Sequence, residues 1–369
     1  MKKIRVQLGP FNYYSYPGAL EELDKLFPAE SLKKAFLIHG KRALAGAEPY
    51  LPAPLTRLEA GRRFLFSGHC SHELVDNLAS HLAPGKPDEA GLIIGLGGGS
   101  ALDTAKALAV KLNLSFAAIP TIASTCAAAT PLSVWYTPEG KALGFEIFNR
   151  AADAVLVEPR IILGSPVEYL TAGLADTLAK WYEADILTGR EKAAGTHLPL
   201  SVRLGIAAAA ALKETLLEKG AAAKTAGETG EISPEFIEVI DAIILGGGIV
   251  GGLGEKYTRV AAAHALHNGI SVLDETHHIP HGIKVAYGLL VQAALMEDGS
   301  LQELIPKFRE LGLPRNLADL GVDSNNKEKL RRFVEASLVP SESIHYLPFL
   351  VGAERLLRAI KTVEELGRI

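Results

Sequence analysis

Five of the 11 histidines fall between residues 264 and 281. His264 and His267 are three apart in Ala-Ala-Ala-His-Ala-Leu-His-Asn-Gly, a spacing that puts both rings on one helical face. That helix reads as ending at Gly269. Thr276-His277-His278-Ile-Pro-His281-Gly-Ile-Lys284 follows. Upstream, Asp176 sits on an otherwise apolar helical stretch, Gly173-Leu-Ala-Asp-Thr-Leu-Ala-Lys180. One carboxylate with two imidazoles suits Zn²⁺ or Fe²⁺ and leaves positions open to water or substrate. A structural zinc site closes four ligands and relies on cysteine. Here Cys70 and Cys126 lie far from the cluster and follow no paired spacing. An ion in such an open site polarises a carbonyl oxygen and stabilises negative charge on it as hydride moves.

A second concentration of chemistry lies earlier. Gly97-Gly98-Gly99-Ser100 follows an apolar run and opens a helical pattern carrying Asp103 and Lys106. Glycines at a strand-to-helix turn let the backbone approach a pyrophosphate, and the free N–H groups of a helix start favour the anion. The spacing is not GxGxxG, and such turns also arise for structural reasons alone. Pro120-Thr121-Ile-Ala-Ser124-Thr125 follows the next apolar run. Its hydroxyls stand where an open parallel sheet places ligands, at the carboxyl ends of its strands; ordinary turn capping is the alternative. The first clear strand-to-helix crossing ends in His39-Gly40-Lys41-Arg42, with two cations and no acid. A carboxylate there holds ribose hydroxyls, whereas a basic residue accommodates a 2′-phosphate. Lys41 and Arg42 therefore point to NADP(H) over NAD(H), against the alternative of a solvated charged loop.

Both clusters need elements to hold them. Short apolar runs at 34–40, 63–68, 91–96, 116–120 and 154–159, separated by helical patterns, predict βαβ units and a parallel sheet. Residues 132–137, then Pro-Glu-Gly and an alternating run to Phe148, predict an inserted β-hairpin. After Pro166, alanine, leucine, lysine and glutamate at helical spacing predict helices over 169–187, 200–218, 234–245, 255–267, 283–297 and 301–311. Residues 218–234 read as an exposed connection. The expected organisation is a Rossmann-like α/β nucleotide-binding domain, residues 1–162, followed by an all-helical metal- and substrate-binding domain, residues 163–369.

Composition narrows the function class. The chain has 369 residues, 48% hydrophobic and 22% charged, a balance typical of folded proteins. A chain of this length buries a sufficient core without disulfides, and two cysteines imply no disulfide framework and a reducing compartment. Met1 to Val6 runs straight into a strand-like alternation without the apolar centre of a signal peptide, so a cytoplasmic protein is expected. A net charge of −4 with no strongly basic stretch excludes a nucleic-acid partner. The longest nearly apolar run, Ala242 to Gly254, is rich in glycine and reads as too short to span a bilayer.

In combination these segments resemble a known family over nearly the whole chain. Gly-Gly-Gly-Ser with Asp103 and Lys106 is similar to the GGG-x-x-x-D-x-A-K segment of glycerol dehydrogenases and iron-containing alcohol dehydrogenases. Pro120-Thr-Ile-Ala-Ser-Thr125 and Leu132-Ser-Val-Trp-Tyr136 resemble the glycerol dehydrogenase nucleotide-site segment. His264-Ala-Leu-His-Asn-Gly269 and His277-His-Ile-Pro-His281-Gly-Ile-Lys-Val285 resemble its metal segments. The resemblance implies a dehydroquinate synthase-like fold with the active site in the cleft between the domains, and a homo-oligomer. It implies Asp176, His264 and His281 as ligands of one divalent ion, zinc first, with iron, nickel or manganese as alternatives. Its implied cofactor contacts are Gly98, Gly99, Ser100, Asp103, Thr121, Ser124, Thr130, Leu132 and Tyr136.

Two departures shape the substrate. Long-chain iron alcohol dehydrogenases place a fourth, histidine ligand one turn after the aspartate; this chain has Lys180 there, as in three-ligand relatives. Polyol-using relatives carry an aspartate after the Ser-Thr pair, where this chain has Cys126. Losing that charge weakens the case for glycerol and eases entry of an anion. Lys180 shares a helical face with Asp176 and could pair with a substrate carboxylate, although an ion pair with Asp176 is the plain alternative; Arg259 is a weaker candidate. Cys126, Lys180 and Trp181-Tyr-Glu183 together resemble the hydroxycarboxylate dehydrogenase A branch of the family. The expected reaction is reduction of small 2-oxo acids by NADPH, with Lys180 holding the carboxylate and His267 relaying a proton. The alternatives are an NAD-dependent glycerol dehydrogenase and a dehydroquinate synthase-like lyase, whose dense phosphate-binding basic residues this chain lacks around the metal motifs.

Overall fold

The computed structural model describes residues 6–83, 85–86 and 89–368; the strand-like pattern expected from Met1 lies largely outside them. The chain forms two compact units. Composition placed a single boundary near residue 162. In the structure the sheet unit combines Gln7–Val167 with Ala226–Gly252, and the helical unit combines Glu168–Thr225 with the chain from Leu253.

The sheet unit is built on six strands: β1 (Asn12–Ser15), β2 (Ala35–His39), β3 (Arg63–Leu65), β4 (Leu92–Gly97), β5 (Phe116–Pro120) and, after a hairpin of β6 (Leu132–Tyr136) and β7 (Ala142–Ile147), β8 (Ala154–Val157). They pair in parallel in the order β1-β8-β5-β4-β2-β3. Every residue of β2, β4, β5 and β8 is buried, which is why these strands read as unbroken apolar runs rather than alternating ones. Leu37, Leu92, Ile94, Leu96, Ile119 and Leu156 form the core beneath one face with Leu20 and Leu23. Sequence order runs outward from β2 to β3, then jumps back to β4 on the other side of β2. That reversal is a topological switch point, where open α/β sheets bind ligands beyond the strand ends. Its register sets His39 beside Leu96 and Gly97 beside Pro120, so the ends of β2, β4 and β5 share one edge.

Three helices of the sheet unit matter here: α1 (Lys41–Ala47) after β2, α2 (His72–Leu82) and α3 (Gly99–Leu112) after β4. A further helical run, Pro234–Leu253, returns to this unit through a π-helical segment at Ala242–Gly246. The apolar run at 242–254 falls, but for its last residue, within this longer helix, which spans 20 residues and has an 18-residue window of mean hydropathy 1.9, enough by length and composition alone to cross a membrane. Its most apolar window is 56% buried in the protein. Its glycines have a packing reason as well. A Cβ on Gly252 would lie 2.4 Å from the Gln7 carbonyl oxygen, and one on Gly248 would lie 3.0 Å from that of Ala129.

The helical unit contains no strand among the described residues. Its elements are α4 (Val167–Ala193), α5 (Leu200–Thr229), α6 (Ala262–Ile270), α7 (His281–Met296), α8 (Ser300–Leu311), α9 (Lys327–Ser337) and α10 (Ala353–Gly367). The connection expected over 218–234 is mostly helix. Alanines carry α5 through to Thr229, and the chain breaks only around Gly230, at φ 75°. Gly220 within it faces Leu174, which a Cβ would meet at 2.5 Å.

Candidate functional site

In the sheet unit the first turn of α3 lies at the carboxyl edge of β4. Gly98 precedes the helix in extended backbone, no side chain caps the helix start, and its first turn carries no acid. Open amides and a positive helix end therefore face the switch point, as an anion requires. None of Gly97, Gly98 and Gly99 has positive φ. Close packing rather than backbone strain favours glycine at the first two: a Cβ on Gly97 would stand 3.0 Å from Ala101 Cβ, and one on Gly98 would stand 2.8 Å from the flexible end of Ile122. Ser100, Ser124, Thr130, Leu132 and Tyr136 are half-buried, and Thr121 is buried with its N–H on the Gly97 carbonyl at 3.1 Å. Lys41 and Arg42 are exposed in the first turn of α1, directly after the end of β2.

Asp103, expected among the cofactor contacts, is engaged behind them. Its Oδ1 accepts from Lys106 Nζ at 3.0 Å and its Oδ2 from the Val134 N–H at 3.1 Å. Lys106 also donates to the carbonyl oxygens of Ala127 and Leu132, and Ser133 Oγ donates to the Asp103 carbonyl at 2.9 Å. This buried ion pair fastens the 127–134 segment, with Thr130 and Leu132, to α3. Cys126 is half-buried at the start of that segment. Tyr136 Cα is anchored through its N–H to Cys70 O at 2.9 Å, and its ring lies 5.2 Å from that of His69.

In the helical unit Asp176 (α4), His264 (α6) and His281 (first residue of α7) converge, with ligand atoms all within 4.8 Å of one another. Close helix packing brings them together. A Cβ on Gly282 would stand 1.8 Å from the Ala172 carbonyl oxygen of α4, and one on Gly288 would stand 2.4 Å from that of Ala263 in α6. His264 Nε2 and His281 Nε2 lie 3.4 and 3.3 Å from Asp176 Oδ1. This buried oxygen has no aligned hydrogen-bond partner among the described residues. Ligand bonds of about 2.1 Å in a tetrahedral site set donor atoms about 3.4 Å apart, so the three groups fit a divalent ion. Burial pushes the Asp176 carboxyl up, but His264, His281 and Lys180 outweigh it and hold it well below the usual range. Burial likewise pulls His264 down, yet Glu183 and Asp176 push it up to about 10, so an ion at Nε2 displaces a proton.

Lys180 is buried one turn beyond Asp176. His267 Nε2 lies 3.0 Å from His281 Nδ1, and its Nδ1 lies 3.0 Å from Asn268 Oδ1. Both nitrogens of the expected proton relay are thus occupied, one by a ligand ring. His277 and His278 are exposed and outside the ligand group, and Arg259 lies in the turn before α6. Three residues with no role assigned from sequence enter the site: Glu183, Asn268 and Glu342. Glu183 had a legible signal, since Asp176, Lys180 and Glu183 follow the i, i+4, i+7 spacing of one helical face.

Residues 10–159 match the iron-containing alcohol dehydrogenase family. The chain is 49% identical to hydroxycarboxylate dehydrogenase A of Escherichia coli, over 98% of each chain. It is 37% identical to glycerol dehydrogenase of Thermotoga maritima, over 83% of this chain and 82% of that protein. Among solved structures, glycerol dehydrogenase of Schizosaccharomyces pombe superposes with a TM-score of 0.85 at 28% identity, covering 100% of this chain and 92% of that one.

Proposed function

We infer, because this chain belongs to the iron-containing alcohol dehydrogenase family, that its reaction is the reduction of small 2-oxo acids to 2-hydroxy acids by NADPH. The chain is a dehydrogenase acting on CH–OH groups of small molecules, of a family that uses a nicotinamide cofactor and a divalent metal. The observation that carries the substrate proposal is Lys180, a buried cation on the helical face of Asp176 and close enough to depress its carboxyl. The 49% identical relative, named for hydroxycarboxylates, supports the same direction.

When bound, the ion supplies Lewis-acid polarisation of the substrate carbonyl and the nicotinamide supplies the hydride. Asp176 Oδ1, His264 Nε2 and His281 Nε2 hold the ion, with zinc the proposed metal. Lys180 Nζ pairs with the substrate carboxylate and orients the ketone. The open start of α3, with Gly98, Gly99 and Ser100, holds the pyrophosphate; Thr121, Ser124, Thr130, Leu132 and Tyr136 line the rest of the cofactor, and Lys41 and Arg42 take the 2′-phosphate. With both nitrogens of His267 engaged, its task is to orient His281, and the proton that completes the alcohol comes from solvent. A cytoplasmic homo-oligomer is part of the proposal.

Lys180→Ala tests the substrate assignment. A charge-assisted hydrogen bond contributes about 1.5–3 kcal/mol, so kcat/KM for 2-oxobutanoate should fall about 10- to 100-fold. Reduction of uncharged dihydroxyacetone should change little. Equal losses on both substrates would remove Lys180 from carboxylate recognition. The cofactor assignment is checked separately with the double substitution Lys41→Glu, Arg42→Glu. Phosphate contacts by exposed cations contribute about 1 kcal/mol each, so the NADPH-to-NADH ratio of kcat/KM should drop about 10- to 30-fold. An unchanged ratio would return these residues to a solvated loop.

A further inference from the structure

We propose that two carboxylates outside the ligand set, Glu183 directly and Glu342 through Asn268 and His267, fix the ring proton of both ligand histidines on Nδ1, so that Nε2 is the nitrogen given to the ion. This rests on the metal-centre reading above. Free neutral histidine favours the opposite arrangement, with the proton on Nε2, so the preference has to be imposed by the partners of Nδ1.

Glu183 is fully buried on α4, two turns beyond Asp176. Its Oε2 stands 2.7 Å from His264 Nδ1. Its Oε1 accepts from the N–H groups of Ala261 at 2.7 Å and His264 at 3.1 Å, amides at the open start of α6. A carboxylate meeting three donors can only accept. His264 therefore keeps its proton on Nδ1, and its Nε2 faces Asp176.

The second arm reaches the same result through two intermediaries. Asn268 Nδ2 donates to both oxygens of Glu342, at 3.1 and 3.0 Å. That contact fixes which end of the amide is which, so Asn268 Oδ1 must accept from His267 Nδ1 at 3.0 Å. With its proton on Nδ1, His267 accepts at Nε2 from His281 Nδ1, 3.0 Å away. His281 Nε2 is then the free nitrogen facing Asp176. Ser271 Oγ also lies 3.5 Å from His267 Nε2. It does not compete as a donor there, because it donates to the His267 carbonyl at 2.8 Å and accepts from Lys284 Nζ at 2.7 Å. Glu183, His267, Asn268 and Glu342 are positioning residues on this assignment; none need touch substrate.

The test is the Zn²⁺ affinity of metal-stripped full-length protein, measured by competition with a chromophoric chelator. Glu183→Gln is nearly isosteric, yet its amide cannot serve all three donors. If its oxygen keeps the backbone N–H groups, its NH₂ faces His264 Nδ1 and favours the wrong tautomer. Partners of this kind typically contribute 10- to 100-fold in metal affinity, and Glu183→Gln should weaken Zn²⁺ binding by about that range. Asn268→Ala, at an exposed position, should weaken it by about 10-fold with an unchanged melting temperature in chelator, a pairing that a merely structural role does not produce. Unaltered affinity in either folded variant overturns the proposal, and if Glu183→Gln fails to fold, Asn268→Ala decides alone. Asp176→Asn separates the two levels: should it too bind Zn²⁺ normally, the metal centre itself is misplaced.

Discussion

Asp176→Asn should abolish tight metal binding and lower kcat/KM for carbonyl reduction by about 10³- to 10⁴-fold, the equivalent of about 4–6 kcal/mol of transition-state stabilisation. The expectation follows from where Asp176 sits. It is buried to 4% exposure, and its Oδ1 is the common neighbour of both ligand Nε2 atoms. The amide is almost the same size, so packing around α4 is kept. What changes is charge: two imidazoles and a neutral amide make a far poorer set of donors for a divalent ion. Metal content by atomic absorption and steady-state kinetics on the same sample check this. A variant with full metal content and near-normal turnover would place the ion elsewhere.

Lys106→Met should destabilise the sheet unit by about 3–5 kcal/mol. Lys106 is 1% exposed and supplies three contacts, to Asp103 and to the carbonyls of Ala127 and Leu132. Burial already pushes the Asp103 carboxyl up, and Lys106 is the main influence opposing it. Methionine fills the volume but leaves a buried acid and two carbonyl oxygens without their donor. The segment carrying Thr130 and Leu132 loses its fastening, so the dissociation constant for NADPH should rise in parallel. Denaturant unfolding followed by fluorescence checks the stability loss, since Trp135 lies on β6 within this segment's reach, stacked 3.8 Å from His72. The paired change Asp103→Leu, Lys106→Met should recover part of the loss, because it leaves no unpaired buried charge, while the Ala127 and Leu132 carbonyls and the Val134 N–H still lack their partners. No recovery would mean that Lys106 acts through its carbonyl contacts alone.

What could be read from sequence divides along physical lines. The buried strands β2, β4, β5 and β8 were legible because a parallel sheet covered on both faces writes continuous apolar runs, as at Leu92–Gly97 and Phe116–Pro120, whereas the half-buried β1 at Asn12–Ser15 was not. The glycine turn after β4 was legible because strand, glycine and helix follow one another directly. Asp176 and the five histidines between 264 and 281 stood out by residue type, the family resemblance implied Asp176, His264 and His281 among them, and helix packing brings those three together. The supporting residues were not legible in the same way. Glu342 reaches the site only through Asn268 and His267, across 74 residues of chain from Asn268. Asp103 looked like a cofactor contact because it shares a motif with the glycines, yet the turn of α3 points it to Lys106 and Val134. The alanine-rich continuation of α5 was misread as a connection because its glycines, Gly220 among them, resemble linker composition until their close packing is seen. The return of 226–252 to the sheet unit leaves no compositional mark at all, since long-range contacts decide it.

The most direct test of the functional reading is kcat/KM of the metal-stripped, Zn²⁺-reloaded protein for 2-oxobutanoate with NADPH, set against glycerol with NAD⁺. The expected result is efficient reduction of the 2-oxo acid that disappears when the metal is removed, with glycerol oxidation slower by at least about 100-fold, the size of one well-made charge-assisted contact. Equal or faster turnover of glycerol with NAD⁺ would contradict it, and would make Lys180 and Cys126 incidental to substrate choice.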